Sequence, residues 1–289
     1  MMGVVLLCLG VASVIQILIL ASFADLKSIH DITKLEDFSN PNIIKGMKIV
    51  QTVSVVLIFI VPAFLYAYFS SEKKISYLKI NKWFSFTLGM AVVLLVFTVM
   101  PLINWSGEIN GKLSLPEFMY RIENWMKSSE ENLKKLTDAF LQMDGIGDLV
   151  VNIVIVALLA AVGEELLFRG AMQNIFVEWT KNSHVAVWIT AILFSAFHMQ
   201  FYGFLPRMLL GVVLGYLYIW SGSLWLPILF HFLNNGMAVV VAYLVGKGMI
   251  SQEAETIGSG ESPIYFVLTS AVISIGLLFF ISKRKVIES

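Results

Sequence analysis

The chain has 289 residues, 58% of them hydrophobic and 14% charged, with a mean hydropathy of +0.81. Twenty Lys and Arg balance twenty Asp and Glu, so no basic surplus points to nucleic acid. This composition excludes an ordinary soluble domain and indicates an all-α, polytopic membrane protein, while the single Cys8 excludes an intrachain disulfide and a cysteine-rich metal site.

A helix crosses the hydrocarbon with ~20 apolar residues, and about eight such transmembrane helices are predicted. The first, 2–24, has no basic leader and too long an apolar run for a signal peptide. The second and third are predicted at 49–70 and 83–103. Residues 104–148 then form a polar loop. Pro116 and Glu117 mark a helix start there, and Leu115, Met119, Ile122 and Met126 recur at helical spacing, as do Leu133, Leu136, Phe140 and Met143. Amphipathic helices on the membrane or capping the bundle are expected, or a solvated hairpin without function. The fourth helix is predicted from 149 to about 179, ~45 Å long, with Glu164 near mid-membrane. The fifth to eighth are predicted at 184–201, 204–220, 223–245 and 263–282. The organisation is 1–103, three N-terminal helices; 104–148, the loop; 149–245, the core with the chemistry; and 246–289, an outer loop, last helix and basic tail.

Orientation is read from Lys and Arg in short loops. Lys73, Lys74, Lys79 and Lys82 follow the second helix, Lys283, Arg284 and Lys285 end the chain, and Lys247 stands against Glu253, Glu255 and Glu261. Both termini are expected in the cytoplasm of a cell-membrane protein, with 104–148 outside. Lys27, Lys34, Lys45 and Lys48 argue mildly the other way.

Three spans carry groups that are costly in lipid unless they meet one another. Glu164 and Glu165 are neighbours, so they point about 100° apart and cannot do the same job. Arg169 lies four residues after Glu165, the spacing of an ion pair, which leaves Glu164 as the carboxylate suited to act as a general base. His198 ends the fifth helix; alone it reads as a packing residue. His231 and Asn235 share a face of the seventh helix, after Pro227, and offer donors for an oxyanion or polar glue between helices. Three helices carrying such groups together satisfy the requirements for activating water and stabilising a tetrahedral intermediate.

No His-Glu-x-x-His stretch and no helical Gly-x-Ser-Gly motif occurs. Gly145-Ile146-Gly147-Asp148 matches one element of aspartyl intramembrane proteases, but no span supplies the second Asp that a dyad needs.

Glu164-Glu165-x-x-x-Arg169, Phe194-x-x-x-His198 and His231-x-x-x-Asn235, with Arg207–Gly215 and Ser223–His231, resemble the motifs of the CPBP family, the CAAX-protease and bacteriocin-processing (Abi) group of intramembrane endopeptidases. The resemblance covers residues 162–236. It implies that Glu164 and His198 activate water, that His231 and Asn235 stabilise the oxyanion, and that Glu165 and Arg169 shape the site. It also implies a peptide or membrane-protein substrate, met within the lipid bilayer and reached from the cytosolic half. The family carries a metalloprotease label beside a metal-free glutamate mechanism. Glu164, His198 and His231 could hold one Zn²⁺, though no required metal is expected. Gly211 and Gly215 form Gly-x-x-x-Gly, a close-packing motif that could equally be a homodimer face. A non-proteolytic scaffold or regulator of the same family is the competing reading. A transporter is a third, without visible inverted-repeat symmetry.

Overall fold

The structure is a computed structural model describing residues 2–23, 41–251, 258 and 263–284. Lys27, Lys34, Glu253, Glu255, Glu261 and Lys285, used above for orientation, lie outside the described residues. Among those described there is no strand. The helices are α1 (Met2–Phe23), α2 (Asn42–Ser70), the short α3 (Lys74–Tyr77), α4 (Phe86–Gly111), α5 (Tyr120–Phe140), α6 (Ile146–Thr180), α7 (Ser183–Phe197), α8 (Phe204–Ser221), α9 (Trp225–Gly246) and α10 (Ile264–Lys283). This is an all-α polytopic bundle.

Seven of these, α1, α2, α4, α6, α8, α9 and α10, are long and apolar enough to cross a membrane. The fifth expected span, α7, is apolar but has only 15 residues, about 22 Å of helix. It stops at Phe197 rather than 201, and no proline or glycine stops it. The ring nitrogen Nδ1 of His198 turns back onto the carbonyl of Phe194 at 2.8 Å, and Ser195 Oγ donates to the carbonyl of Phe204 at 2.6 Å. Met199 then adopts φ +54°, which ends the helix. The backbone returns at once into α8, so α7 and α8 form a hairpin whose tip is 198–203. Asn110 holds that tip: its Nδ2 donates to the Phe201 carbonyl at 2.9 Å, and its Oδ1 accepts from the Leu205 N–H at 2.7 Å. Asn110 is available because α4 runs on to Gly111, beyond the expected end at 103.

The expected long fourth helix is present as α6, 35 residues from end to end. It is not uniformly α-helical. Ile153–Leu159 and Leu166–Gln173 are π-helical and flank the α-helical turns Ala160–Glu165. Such widened turns inside α-helices occur often at functional sites. Here they bracket the two glutamates.

The Gly-x-x-x-Gly face of α8 is occupied within the chain. A Cβ on Gly211 would lie 3.1 Å from Ala191 Cα, and one on Gly215 would lie 2.9 Å from Val187 Cγ1. Both neighbours belong to α7, so this face closes the hairpin and is not free to pair two copies. The close approach also exposes the glycine carbonyls to α6. Arg169 donates to the Gly211 carbonyl at 3.0 Å and Gln173 to the Gly215 carbonyl at 3.1 Å. Elsewhere the core is aliphatic: Leu88, Leu95 and Val99 of α4 meet Leu214 and Leu217 of α8 and Phe230 of α9, all buried.

Of the expected amphipathic helices between α4 and α6, one forms, α5, entered through a 3₁₀ turn at Glu117–Met119. Met126, Leu133, Leu136 and Phe140 are partly buried as predicted, but Ile122 is 47% exposed. Phe118 and Tyr120 are exposed with it, an aromatic surface suited to the headgroup level. The other face caps the bundle. Glu130 accepts from the Tyr202 N–H at 3.2 Å, Trp125 packs on Phe201 with ring centroids 5.3 Å apart, and Asn152 donates to the Phe140 carbonyl at 2.7 Å.

Candidate active site

Glu164 stands near the middle of α6, His198 at the hairpin tip after α7, and His231 and Asn235 on successive turns of α9. All four line one cavity of about 480 Å³, together with Arg207, Asn234, Pro206 and Val156, and with Thr137 and Leu141 from the end of α5. These four predicted residues are thus brought together on one surface, while Glu165 and Arg169 lie buried behind it.

Glu164 Oε2 lies 3.9 Å from His198 Nε2 and 3.8 Å from His231 Nε2. These gaps are too long for direct hydrogen bonds and suit groups joined through one shared water. Oε2 itself is buried and has no hydrogen-bond partner among the described residues. The other nitrogen of each ring is engaged: His198 Nδ1 with the Phe194 carbonyl, and His231 Nδ1 with Glu165 Oε1 at 2.8 Å. A carbonyl and a carboxylate only accept, so Nδ1 carries the proton in both rings and both Nε2 atoms face the cavity.

Glu165 is fully buried and has two partners, where the sequence suggested one. Its Oε1 receives Arg169 NH1 at 2.6 Å as well as His231 Nδ1. The i,i+4 pair is therefore also the device that orients His231. The guanidinium of Arg169 lies over the Phe194 ring, 4.7 Å from its centroid. Phe194 in turn packs against both histidine rings, at 5.0 Å and 5.9 Å. Phe168 and Phe197 continue this aromatic wall and line a separate apolar cavity of about 740 Å³ behind it.

Asn235 Nδ2 lies 3.4 Å from the Val156 carbonyl, a weak bond, while its Oδ1 accepts from Asn234 Nδ2 at 3.2 Å. Asn234 thereby holds the amide of Asn235 with its N–H₂ side available. Asn234 and Arg207 are cavity residues that spacing did not single out. Asn234 adjoins Asn235 in sequence, and Arg207 falls inside the Arg207–Gly215 stretch, so a signal existed for each but carried no role.

The donors Glu164, His198 and His231 have the chemistry of a zinc site. Their spacing is wider than the roughly 3.3 Å between ligands that tetrahedral bonds of about 2.0 Å require. Among the described residues no group of three His, Cys, Asp or Glu side chains is placed to hold a metal ion.

The cavity reaches from Glu164 to Thr137 and Leu141, so it extends toward the membrane face on which 112–145 lies. Reading that segment as external and the site as reached from the cytosolic half cannot both hold. The basic residues of the segment itself, Lys112, Arg121, Lys127, Lys134 and Lys135, oppose the external placement. In a Cys8→Ser background, a membrane-impermeant thiol reagent is expected to reach Ser128→Cys and the cavity-lining Ala238→Cys from one side, and Glu72→Cys from the other. Labelling of Ser128→Cys and Ala238→Cys from opposite sides would contradict the placement.

A carboxylate, two imidazoles and an amide thus meet around one cavity of a multi-pass membrane protein, a set of groups with the chemistry to activate water. Residues 146–237 match the family described as type II CAAX prenyl endopeptidase Rce1-like, and over that segment the CPBP resemblance read from the motifs is borne out. A Bacillus subtilis (strain 168) protein named "Uncharacterized protein YpbD" is 30% identical over 90 residues, 30% of this chain and 43% of that protein. An Escherichia coli protein named "Uncharacterized 24.3 kDa protein" is 36% identical over 92 residues, 30% of this chain and 42% of that one. The matched stretch therefore spans less than half the length of either relative. No solved structure matches the chain.

Proposed function

We propose that the protein is an intramembrane endopeptidase that hydrolyses a peptide bond with water activated by Glu164. The observation that carries this reading is the unpartnered Glu164 Oε2 facing two Nε2 atoms at 3.8 and 3.9 Å. Glu164 takes a proton from a water molecule that His198 Nε2 orients by accepting its second hydrogen. The water oxygen attacks the scissile carbonyl carbon. The resulting oxyanion receives hydrogen bonds from Asn235 Nδ2 and from His231 Nε2. That role of His231 asks for the doubly protonated ring, with Glu165 at 2.8 Å as its counter-charge. Glu164 then gives its proton to the leaving nitrogen as the C–N bond breaks, yielding a carboxylic acid, which keeps the water's second hydrogen, and an amine.

The substrate is a peptide or membrane-protein segment in the bilayer, and the site lies in the cell membrane. The test is comparative mass spectrometry of peptides from cells carrying the intact or the Glu164→Gln protein. A set of peptides present only with the intact protein supports hydrolysis. Identical peptide sets, with the cellular phenotype kept by Glu164→Gln, would leave the scaffold reading standing.

The spacing of the donors supports a reaction with no required metal. Dialysis of the purified protein against 1,10-phenanthroline is expected to leave cleavage unchanged. Loss of activity that Zn²⁺ restores would place a metal among Glu164, His198 and His231 instead.

A further inference from the structure

Arg207 is a second cation at the site, and it is held quite differently from Arg169. Arg169 has Glu165 at 2.6 Å. Arg207, in the first turn of α8, donates from NH2 to Gln200 Oε1 and from NH1 to the Gly203 carbonyl at 3.4 Å. Both acceptors are neutral. Among the described residues no carboxylate lies within the 4.0 Å ion-pair distance of Arg207. The carboxylates that act on it from further away are Glu130 on α5 and Glu164 on α6. It lines the same cavity as Glu164 and His198.

A guanidinium at membrane depth is costly without an anion, and where one persists it faces a functional cavity. Two neutral acceptors are fewer than its planar fork can serve, and that fork matches a carboxylate in bidentate geometry. The site already has a carboxylate for water and donors for an oxyanion, so Arg207 is superfluous to the chemical step. Resting on the hydrolytic reading, we infer that Arg207 binds a carboxylate of the substrate peptide and so sets which peptides enter. Because Arg207 and Glu164 share a cavity of about 480 Å³, the bound carboxylate lies only a few residues from the bond cleaved. The carboxylate is either the peptide's C-terminus or an Asp or Glu side chain, and both present the same two oxygens.

The test is equilibrium binding of three probes to the full-length protein carrying Glu164→Gln, so that nothing is cleaved. The probes are the acetylated peptide Ala-Leu-Ala-Leu as free acid, the same peptide amidated, and an amidated version with Glu in the third place. The free acid or the Glu peptide is expected to bind about tenfold tighter than the neutral one. That preference disappears when Arg207→Gln is added and is partly retained with Arg207→Lys, which keeps the charge and controls for folding. Whichever acidic probe is preferred identifies the source of the carboxylate. Equal binding of all three probes, or a preference that survives Arg207→Gln, overturns the assignment. If Glu164 proved irrelevant to cleavage while the acid preference persisted, the hydrolytic reading alone would fall.

Discussion

Glu164→Gln is expected to lower the cleavage rate by about 10³-fold while leaving the protein folded and substrate binding near normal. Glutamine keeps the shape of the side chain and removes the carboxylate that takes a proton from water, and a positioned general base contributes 10²–10⁴-fold. Oε2 of Glu164 makes no hydrogen bond within the described protein, so the exchange breaks no internal contact and stability is not the cause of the loss. His198→Ala is expected to act on kcat in the same direction but less, because it orients water rather than accepting its proton. Asn235→Ala should cost about 10²–10³-fold if its amide faces the oxyanion. Single-turnover cleavage of a substrate found by the peptide comparison measures all three. Wild-type rates from Glu164→Gln would sink the mechanism.

The second large effect is expected at Arg169. Arg169→Met leaves Glu165 as a buried carboxylate with only His231 beside it, and removing one partner of a buried ion pair costs roughly 3–5 kcal/mol. Thermal unfolding in detergent should show this as a marked loss of stability, with activity falling alongside. The double variant Glu165→Leu with Arg169→Met removes both charges and should recover much of that stability. It should not recover activity, because His231 Nδ1 loses the acceptor it has at 2.8 Å. Recovery of both would mean that Glu165 has no part in orienting the ring.

The spans were legible because twenty apolar residues have few alternatives, and the length of α6 followed from the absence of any proline between 149 and 179. The end of α7 was not legible. It is made by a histidine and a serine folding back onto backbone carbonyls, bonds that depend on the hairpin already being formed. The run of α4 to Gly111 was hidden for a related reason: Asn104, Ser106 and Asn110 read as loop residues, yet Ser106 caps the Ile103 carbonyl and Asn110 pins the hairpin tip. In the site, i,i+4 spacing separated Glu164 from Glu165 and paired Glu165 with Arg169. It could not reveal that Glu165 also touches His231, 66 positions away. Asn234 and Arg207 matter through a cavity that exists only after packing. The Gly211 and Gly215 pair was read as a contact face, and its role in exposing two carbonyls to Arg169 and Gln173 needed the third helix.

The brevity of α7 bears on the lipid as well as on the protein. Its 15 residues cover about 22 Å, against a hydrocarbon core of about 30 Å. The hairpin tip that carries His198 therefore ends short of a full crossing, and irregular backbone is tolerated at that depth only where protein or water covers it. Lipid beside α7 must thin, or α5 must fill the shortfall. A thicker bilayer would pull on α7 more than on the seven longer helices, and so would shift the His198 imidazole relative to Glu164, which lies 3.9 Å away. Membrane thickness would then bear on the gap between these two side chains.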